Sequence, residues 1–235
     1  MSAPPERSPE RDAALEAMLP NIPFDGWTYR ALRSGLVSIG VPSEEAELLF
    51  PGGATDMIEA FCDWADRRME QAAREQAARE QVAREQAAGE RAAEEPVPGV
   101  ALPQRVRAVI ALRLAQNRPY KEAVRRAVAV LALPRHVRLA AICTGRTVDA
   151  IWHAAGDRST DFTWYTKRAI LTAAYTATLL FWLRDSSEDD AATLGFLDRR
   201  LAGIAWTYRL RRRAEAVLHR FTPSAARERP ARSAG

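Results

Sequence analysis

From Phe162 to Leu183 the chain is apolar on every side of the helix it would form. Ile170, Leu171, Ala173, Ala174, Tyr175, Ala177, Leu179, Leu180, Phe181 and Trp182 leave no polar stripe. Such a helix has to be covered on all sides. Its most apolar run, Ala169 to Leu183, contains Thr172, Thr176 and Thr178 and falls short of the roughly 20 residues that a membrane span needs. The cover must therefore be protein. One domain of this size covers such a helix poorly, so a second subunit is expected against it. The constraint points to an all-α chain whose C-terminal helices form a bundle that dimerises.

The residues leading into that helix read as a helix end, a tight loop and a helix start. Val148, Ile151, Trp152 and Ala155 recur at helical spacing on one face. Gly156 can take the left-handed conformation that closes a helix. Ser159, Thr160 and Asp161 are all N-cap types, and Phe162, Trp164 and Tyr165 fill the first turn that follows.

Elsewhere the same period recurs between turn signals. Ala14, Leu15 and Met18 mark a first helix over 11–19, which Pro20 and Pro23 stop. Thr28 caps a second helix with Ala31, Leu32 and Leu36 inward and Gly40 at its end. Ser43 is expected to cap a short third helix through Leu49. After the Phe50-Pro51-Gly52-Gly53 turn a long helix carries Ile58, Phe61, Cys62 and Ala65 on one stripe. This order is similar to the helix-turn-helix unit of TetR-type regulators. DNA binding is disfavoured by Glu44, Glu45 and Glu47, because a helix entering the major groove lies beside phosphates and these carboxylates repel them.

Residues 71–95 repeat Gln-Ala-Ala-Arg-Glu with a period of five, so the alanines spiral and make no stripe. A solvated extension of the long helix is expected, followed by the linker Glu94 to Gly99. Beyond it, Val106, Val109, Ile110 and Leu114 mark one helix. Pro119 opens the next, with Val124, Ala127, Val128 and Leu131 inward, and Pro134 ends it. A further helix carries Val137, Leu139, Ala140 and Ile142 to a break expected at Thr144-Gly145. The final helix starts at Glu188, with Leu194, Leu197, Leu201 and Ile204 inward.

The tail is amphipathic. Trp206, Leu210, Ala214, Val217 and Phe221 share a face opposite Arg209, Arg211, Arg212, Arg213, His219 and Arg220. A basic face opposite a Trp/Leu/Phe face suits the interface of an anionic membrane, and it equally suits docking on the protein's own body. The sequence pI of about 9.4 also favours an anionic partner. Met1 to Pro9 has no apolar core, and Glu6 and Glu10 argue against a transit peptide. A cytoplasmic protein with peripheral contact to a bacterial inner membrane is expected.

Chemistry of the usual kinds has no support. His136, His153 and His219 are scattered, and Cys62 and Cys143 read as buried small hydrophobes. No nucleophile elbow, Walker loop or dinucleotide fingerprint occurs. Asp157 and Asp161 have no companion base; capping and arginine pairing account for them. No enzyme and no cofactor are expected.

The segment Ala-Gly-Asp-Arg-Ser-Thr-Asp-Phe-Thr-Trp-Tyr-Thr-Lys-Arg over 155–168 resembles the signature of the coenzyme Q biosynthesis protein nine family. Leu48 to Gly53, with Phe61, Asp63 and Trp64, and Phe196 to Arg200 resemble it too. The resemblance covers roughly 14–205 and is interrupted by the 71–95 insertion. It implies a TetR-like fold without repressor activity. The chain is expected to divide into a disordered tail over 1–10, a helix-turn-helix domain over 11–69, a low-complexity charged helix and linker over 70–99, a lipid-binding and dimerisation domain over 100–205, and an amphipathic basic helix and disordered tail over 206–235. It implies a bound isoprenoid quinone precursor or phospholipid, presented to a di-iron demethoxyubiquinone hydroxylase or an equivalent enzyme. The partner surface carried over by the motif is Asp161, Trp164, Tyr165 and Arg168. The expected lipid-lining residues are Val109, Leu112, Val128, Leu131, Ile151 and Trp152. The expected membrane contacts are Trp206, Leu210, Arg211, Arg212, Arg213, Val217 and Phe221.

Overall fold

Residues 5–90, 101–157 and 163–202 are described by the computed structural model, and every regular element among them is helical. Helix α1 (Pro9–Met18) begins where the Ser8 hydroxyl accepts the Arg11 amide at 3.1 Å, with Glu10 and Asp12 at the positive end of the helix dipole. A 3-10 turn and the single-turn α2 (Ile22–Asp25) lead to α3 (Tyr29–Ser38), where the Thr28 hydroxyl accepts from the Ala31 amide as its cap. The short α4 (Ala46–Leu49) and the long α5 (Gly53–Glu90) follow. Ser43 does not cap: it opens a 3-10 turn, and its hydroxyl reaches Glu44 rather than a backbone amide.

The core of this N-terminal unit is Ala14, Leu15, Met18, Leu32, Leu36, Phe50, Met57 and Ile58. Arg11 holds the three layers together. Its buried guanidinium lies 4.3 Å from the Phe50 ring, donates to the Leu49 carbonyl and pairs with Asp56 at 2.6 Å. Arg67 pairs with Asp12 through two bonds of 2.7 and 2.8 Å, tying α1 to α5 a second time.

The second half contains α6 (Leu102–Asn117), α7 (Lys121–Leu131), α8 (Val137–Ala154), α9 (Thr163–Trp182) and α10 (191–202). The two halves share one core. Trp27 donates its indole N–H to the Ala123 carbonyl at 3.0 Å, and its ring leads through Phe61 and Trp64 to Tyr120. As expected, α5 runs on through the five-residue repeat. From Arg74 to Gln81 the helix is exposed, with Gln-to-Glu hydrogen bonds at i,i+4 from Gln71, Gln76 and Gln81.

One expectation here is corrected. No break occurs at Thr144-Gly145: α8 is continuous, because one glycine costs a helix only about 1 kcal/mol, and burial of Cys143, Thr147, Val148 and Ile151 around it outweighs that. The inner face is therefore this set; Val137 is exposed, and Leu139, Ala140 and Ile142 are half-buried. Within one chain α9 is left open on one side. Leu171, Ala174, Tyr175, Thr178 and Trp182 face inward, while Ala173, Leu180 and Phe181 lie outside, with Phe181 stacked on Phe196 of α10 at 4.7 Å.

Side-chain pairings fix the helix directions. Cys62 and Asp66 on α5 meet Cys143 and Thr147 on α8, so α5 and α8 run parallel. Tyr120 meets Trp64 and Gln116 meets Arg68, so α6 runs back along α5. Lys121 and Arg125, at the start of α7, donate to the carbonyls of Asp185 and Leu183, just past the end of α9. Arg118 pairs with Asp190 and Arg107 with Asp198, so α10 runs antiparallel to α6, away from the N-terminal unit.

Candidate functional site

One end of the bundle collects the sequence features that suggest function. The start of α6, the end of α8, the start of α9 and the described end of α10 all lie there, opposite the helix-turn-helix unit. The chain closes α8 as the glycine predicts. Gly156 has φ +74°, its amide reaches the His153 carbonyl at 3.0 Å, and the Asp157 amide reaches the Trp152 carbonyl at 3.1 Å, which together form a Schellman closure. A β-carbon at Gly156 would stand 3.5 Å from an Arg105 nitrogen, so α6 crowds this turn as well.

Two ion pairs span the gap between α8 and α9. Arg168 pairs with Asp149, and Lys167 with Asp157 at 3.5 Å. Arg168, expected on a partner surface, thus also holds the first turns of α9 to α8. Its partner Asp149 was not singled out by sequence reasoning, since the pairing is tertiary and no spacing rule announces it. Asp161 lies outside the described residues; Trp164 and Tyr165 fall in the first turn of α9.

Of the residues expected to line a lipid site, Val109 and Ile151 are buried side by side with the main core, and Leu112 and Trp152 are half-buried. The Trp152 indole nitrogen is buried and has no hydrogen-bond partner among the described residues. Val128 and Leu131 are also half-buried but sit on the end of α7 that faces the start of α8. Ile151 and Trp152 are at the other end of α8, roughly 20 Å away at 1.5 Å per residue. These six residues do not share one wall. An open groove of about 540 Å³ lies elsewhere, between α1 and α5, lined by Arg7, Ser8, Pro9, Asp12, Ala13, Glu16 and Arg67. Its lining is charged, which does not suit an alkyl chain. Trp206, Leu210, Arg211, Arg212, Arg213, Val217 and Phe221 lie outside the described residues.

A polar cluster in the bundle core was missed. Asp66, Arg113, Thr147 and Tyr175 come from α5, α6, α8 and α9, and all are buried. Asp66 accepts from the Thr147 hydroxyl at 3.0 Å and stands 3.0 Å from Arg113. Burial pushes the Asp66 carboxyl up to about 6, with Arg113 and Thr147 pulling against it. Burial likewise raises the Tyr175 phenol. The signal was available: Arg113 falls at i+3 and i+4 from Ile110 and Val109, a charge on the apolar stripe of its own helix.

Known proteins match this end of the chain and much of the rest. The COQ9 family model matches residues 137–207, which takes in α8, the Gly156 turn, α9 and α10. The rat and human proteins titled "Ubiquinone biosynthesis protein COQ9, mitochondrial" are each 33% identical over 187 residues, 80% of this chain and 56% and 55% of their own length. The protein of the same title from Drosophila melanogaster is 30% identical over 214 residues, 91% of this chain and 61% of its own. The chain thus spans little more than half the length of these curated relatives. Among solved structures, a TetR transcriptional regulator from Nitrosomonas europaea superposes with a TM-score of 0.60 at 23% identity, covering 85% of this chain and 99% of that one. That likeness shows the expected TetR-like, all-α fold. Matched by the family model across its signature turn and by family members along most of its own length, the chain belongs to the COQ9 family.

Proposed function

We propose that this protein is a non-enzymatic accessory factor of ubiquinone biosynthesis. It shelters a prenyl-quinone precursor among its C-terminal helices and presents it to a membrane-associated hydroxylase. The observation that carries the reading is the convergence at one end of the bundle. The Gly156 turn, the half-buried Trp152, the clamped start of α9 and the described end of α10 all meet there. A lipid entering beside the signature would come from the surface that a basic amphipathic tail would hold. A prenyl chain supplies the driving force, since each buried CH₂ contributes about 0.8 kcal/mol. Among the described residues no single helix is long and apolar enough to cross a membrane, so the contact in this reading is peripheral. The curated relatives carry mitochondrial titles, and a bacterial address finds no support among them. Ala173, Leu180 and Phe181 on the open face of α9, with Phe196 of α10, form the surface a second copy would cover.

Two experiments test separate parts. Removal of residues 206–235 is expected to abolish co-sedimentation with vesicles rich in anionic lipid and to leave the thermal midpoint unchanged. The expectation follows from about 1 kcal/mol per basic residue at such a surface. Equal sedimentation of the shortened chain contradicts it. Replacing Trp164 by alanine is expected to weaken association with a demethoxyubiquinone hydroxylase about tenfold, as aromatic anchors do, with the fold intact. Loss of the thermal transition instead assigns Trp164 to the core.

The fold's likeness to a regulator keeps DNA binding in view, but the short helix argues against it. Glu44, Glu45 and Glu47 are exposed, Glu47 is engaged by Arg33, and Leu48 is 82% exposed where phosphates would lie. A salt-dependent gel shift on the protein's own upstream DNA decides.

A further inference from the structure

We propose that Arg113, with Asp66 and Tyr175, is a docking point for the neutral, oxygen-bearing ring of a quinone or phenol, and discriminates against a phosphate head group. The proposal rests on the reading that the C-terminal helices shelter a lipid, and it names which end of the lipid the core recognises.

The observation is an imbalance of donors. Arg113 is 3% exposed, yet its Nε and Nη1 have no hydrogen-bond partner among the described residues. Nη2 donates to the Cys62 carbonyl at 3.5 Å and stands 3.0 Å from Asp66 Oδ1, an ion pair that leaves this oxygen without a hydrogen bond, so two unsatisfied donors face one unsatisfied acceptor. The Tyr175 hydroxyl lies within hydrogen-bonding reach of the guanidinium but leaves Nε and Nη1 unsatisfied. Buried guanidinium N–H groups ordinarily find acceptors.

Charge selects the acceptor. Asp66 already balances Arg113, and Thr147 is committed to Asp66 at 3.0 Å. A phosphate or carboxylate would add an uncompensated negative charge beside Asp66 in a dry site, which is strongly unfavourable. A ring carbonyl, hydroxyl or methoxy oxygen accepts an N–H bond and adds no charge. Ordered water supplies the same chemistry, and the experiment separates the two. Arg113 on α6 and Tyr175 on α9 face each other across the seam between those two helices.

The test uses the full chain and two probes, decylubiquinone, which carries the ring, and farnesol, which carries only an isoprenoid chain. Binding is read by quenching or shift of tryptophan fluorescence. The variants are Tyr175→Phe, which removes one hydroxyl, and the double change Asp66→Asn with Arg113→Gln, which removes both charges together and leaves none unpaired. The wild type is expected to bind decylubiquinone at least tenfold more tightly than farnesol. The double variant is expected to lose that factor while its farnesol affinity stays within twofold, and Tyr175→Phe to lose part of it. A folded double variant that keeps wild-type affinity for decylubiquinone overturns the proposal and leaves water as the occupant. Equal wild-type affinity for both probes overturns the ring site and leaves chain sheltering intact. Binding of neither probe by the wild type removes the lipid reading and the ring site with it.

Discussion

Gly35→Ala is expected to destabilise the protein by about 3 kcal/mol, the upper end for forcing atoms into a packed core. A β-carbon there would stand 2.7 Å from the Met18 nitrogen and 2.8 Å from both the Ala17 carbonyl carbon and the Met18 α-carbon. These are backbone atoms of α1, so no rotamer change relieves the contact. The helices would have to separate, and Ala14, Leu15, Met18, Leu32 and Leu36, buried between and around them, would loosen together. Gly145 provides the control. It too lies within a helix, but a β-carbon there meets nothing within 4 Å. Gly145→Ala is therefore expected to stabilise by about 1 kcal/mol through helix propensity alone. Urea denaturation of both variants checks the pair, and equal small effects at the two sites contradict the crossing described for α1 and α3.

The second large effect is a pH dependence with an unusual sign. Asp66 is held at about 6 in the fold, chiefly by burial, against about 3.9 in an unfolded chain. Between those values the folded protein holds a proton that the unfolded chain has released. Stability from this group is thus fully present below about pH 4 and is lost as pH rises through about 6, a difference of about 3 kcal/mol. Two carboxylates near α10 act the other way. Asp198, lowered by its bond to Arg107, and Asp185, lowered because the hydroxyls and amides of Thr193 and Ser187 outweigh its desolvation, lose their contribution only as pH falls below the ordinary carboxylate range. From pH 7.5 down to pH 5 the wild type should therefore become more stable by about 1.4 kcal/mol. Asp66→Asn, which fixes the neutral form, should show no such gain. A variant with the wild-type slope contradicts the burial of Asp66.

Much of the fold was legible because helix ends are local chemistry. Thr28, Gly156 and the proline stops act within a few residues of themselves, and the apolar stripes of α5 and α6 follow a fixed period. Readings failed where a local preference met tertiary burial. Gly145 looked like a break until Cys143, Thr147 and Val148 were seen to need a continuous inner face. Ser43 had the right side chain for a cap, but a 3-10 turn put its hydroxyl beside Glu44. The signature end was legible as a turn flanked by aromatics; its clamp was not, because Arg168 and Asp149 lie on different helices. Val128 and Leu131 satisfied the periodicity of α7 as well as Val109 did that of α6. Periodicity says which face turns inward, but it does not say which inward faces meet. Arg113 and Asp66 escape periodicity for the opposite reason: each is a charge within an apolar stripe, and a stripe is defined by its apolar members.

The most direct test of the account is organic extraction of the purified full-length protein followed by mass spectrometry of what comes off. A prenylated quinone or its phenolic precursor, recovered in near-stoichiometric amount and absent from a mock purification, is the predicted result. Protein that is folded, dimeric and free of both prenyl lipid and phospholipid contradicts it.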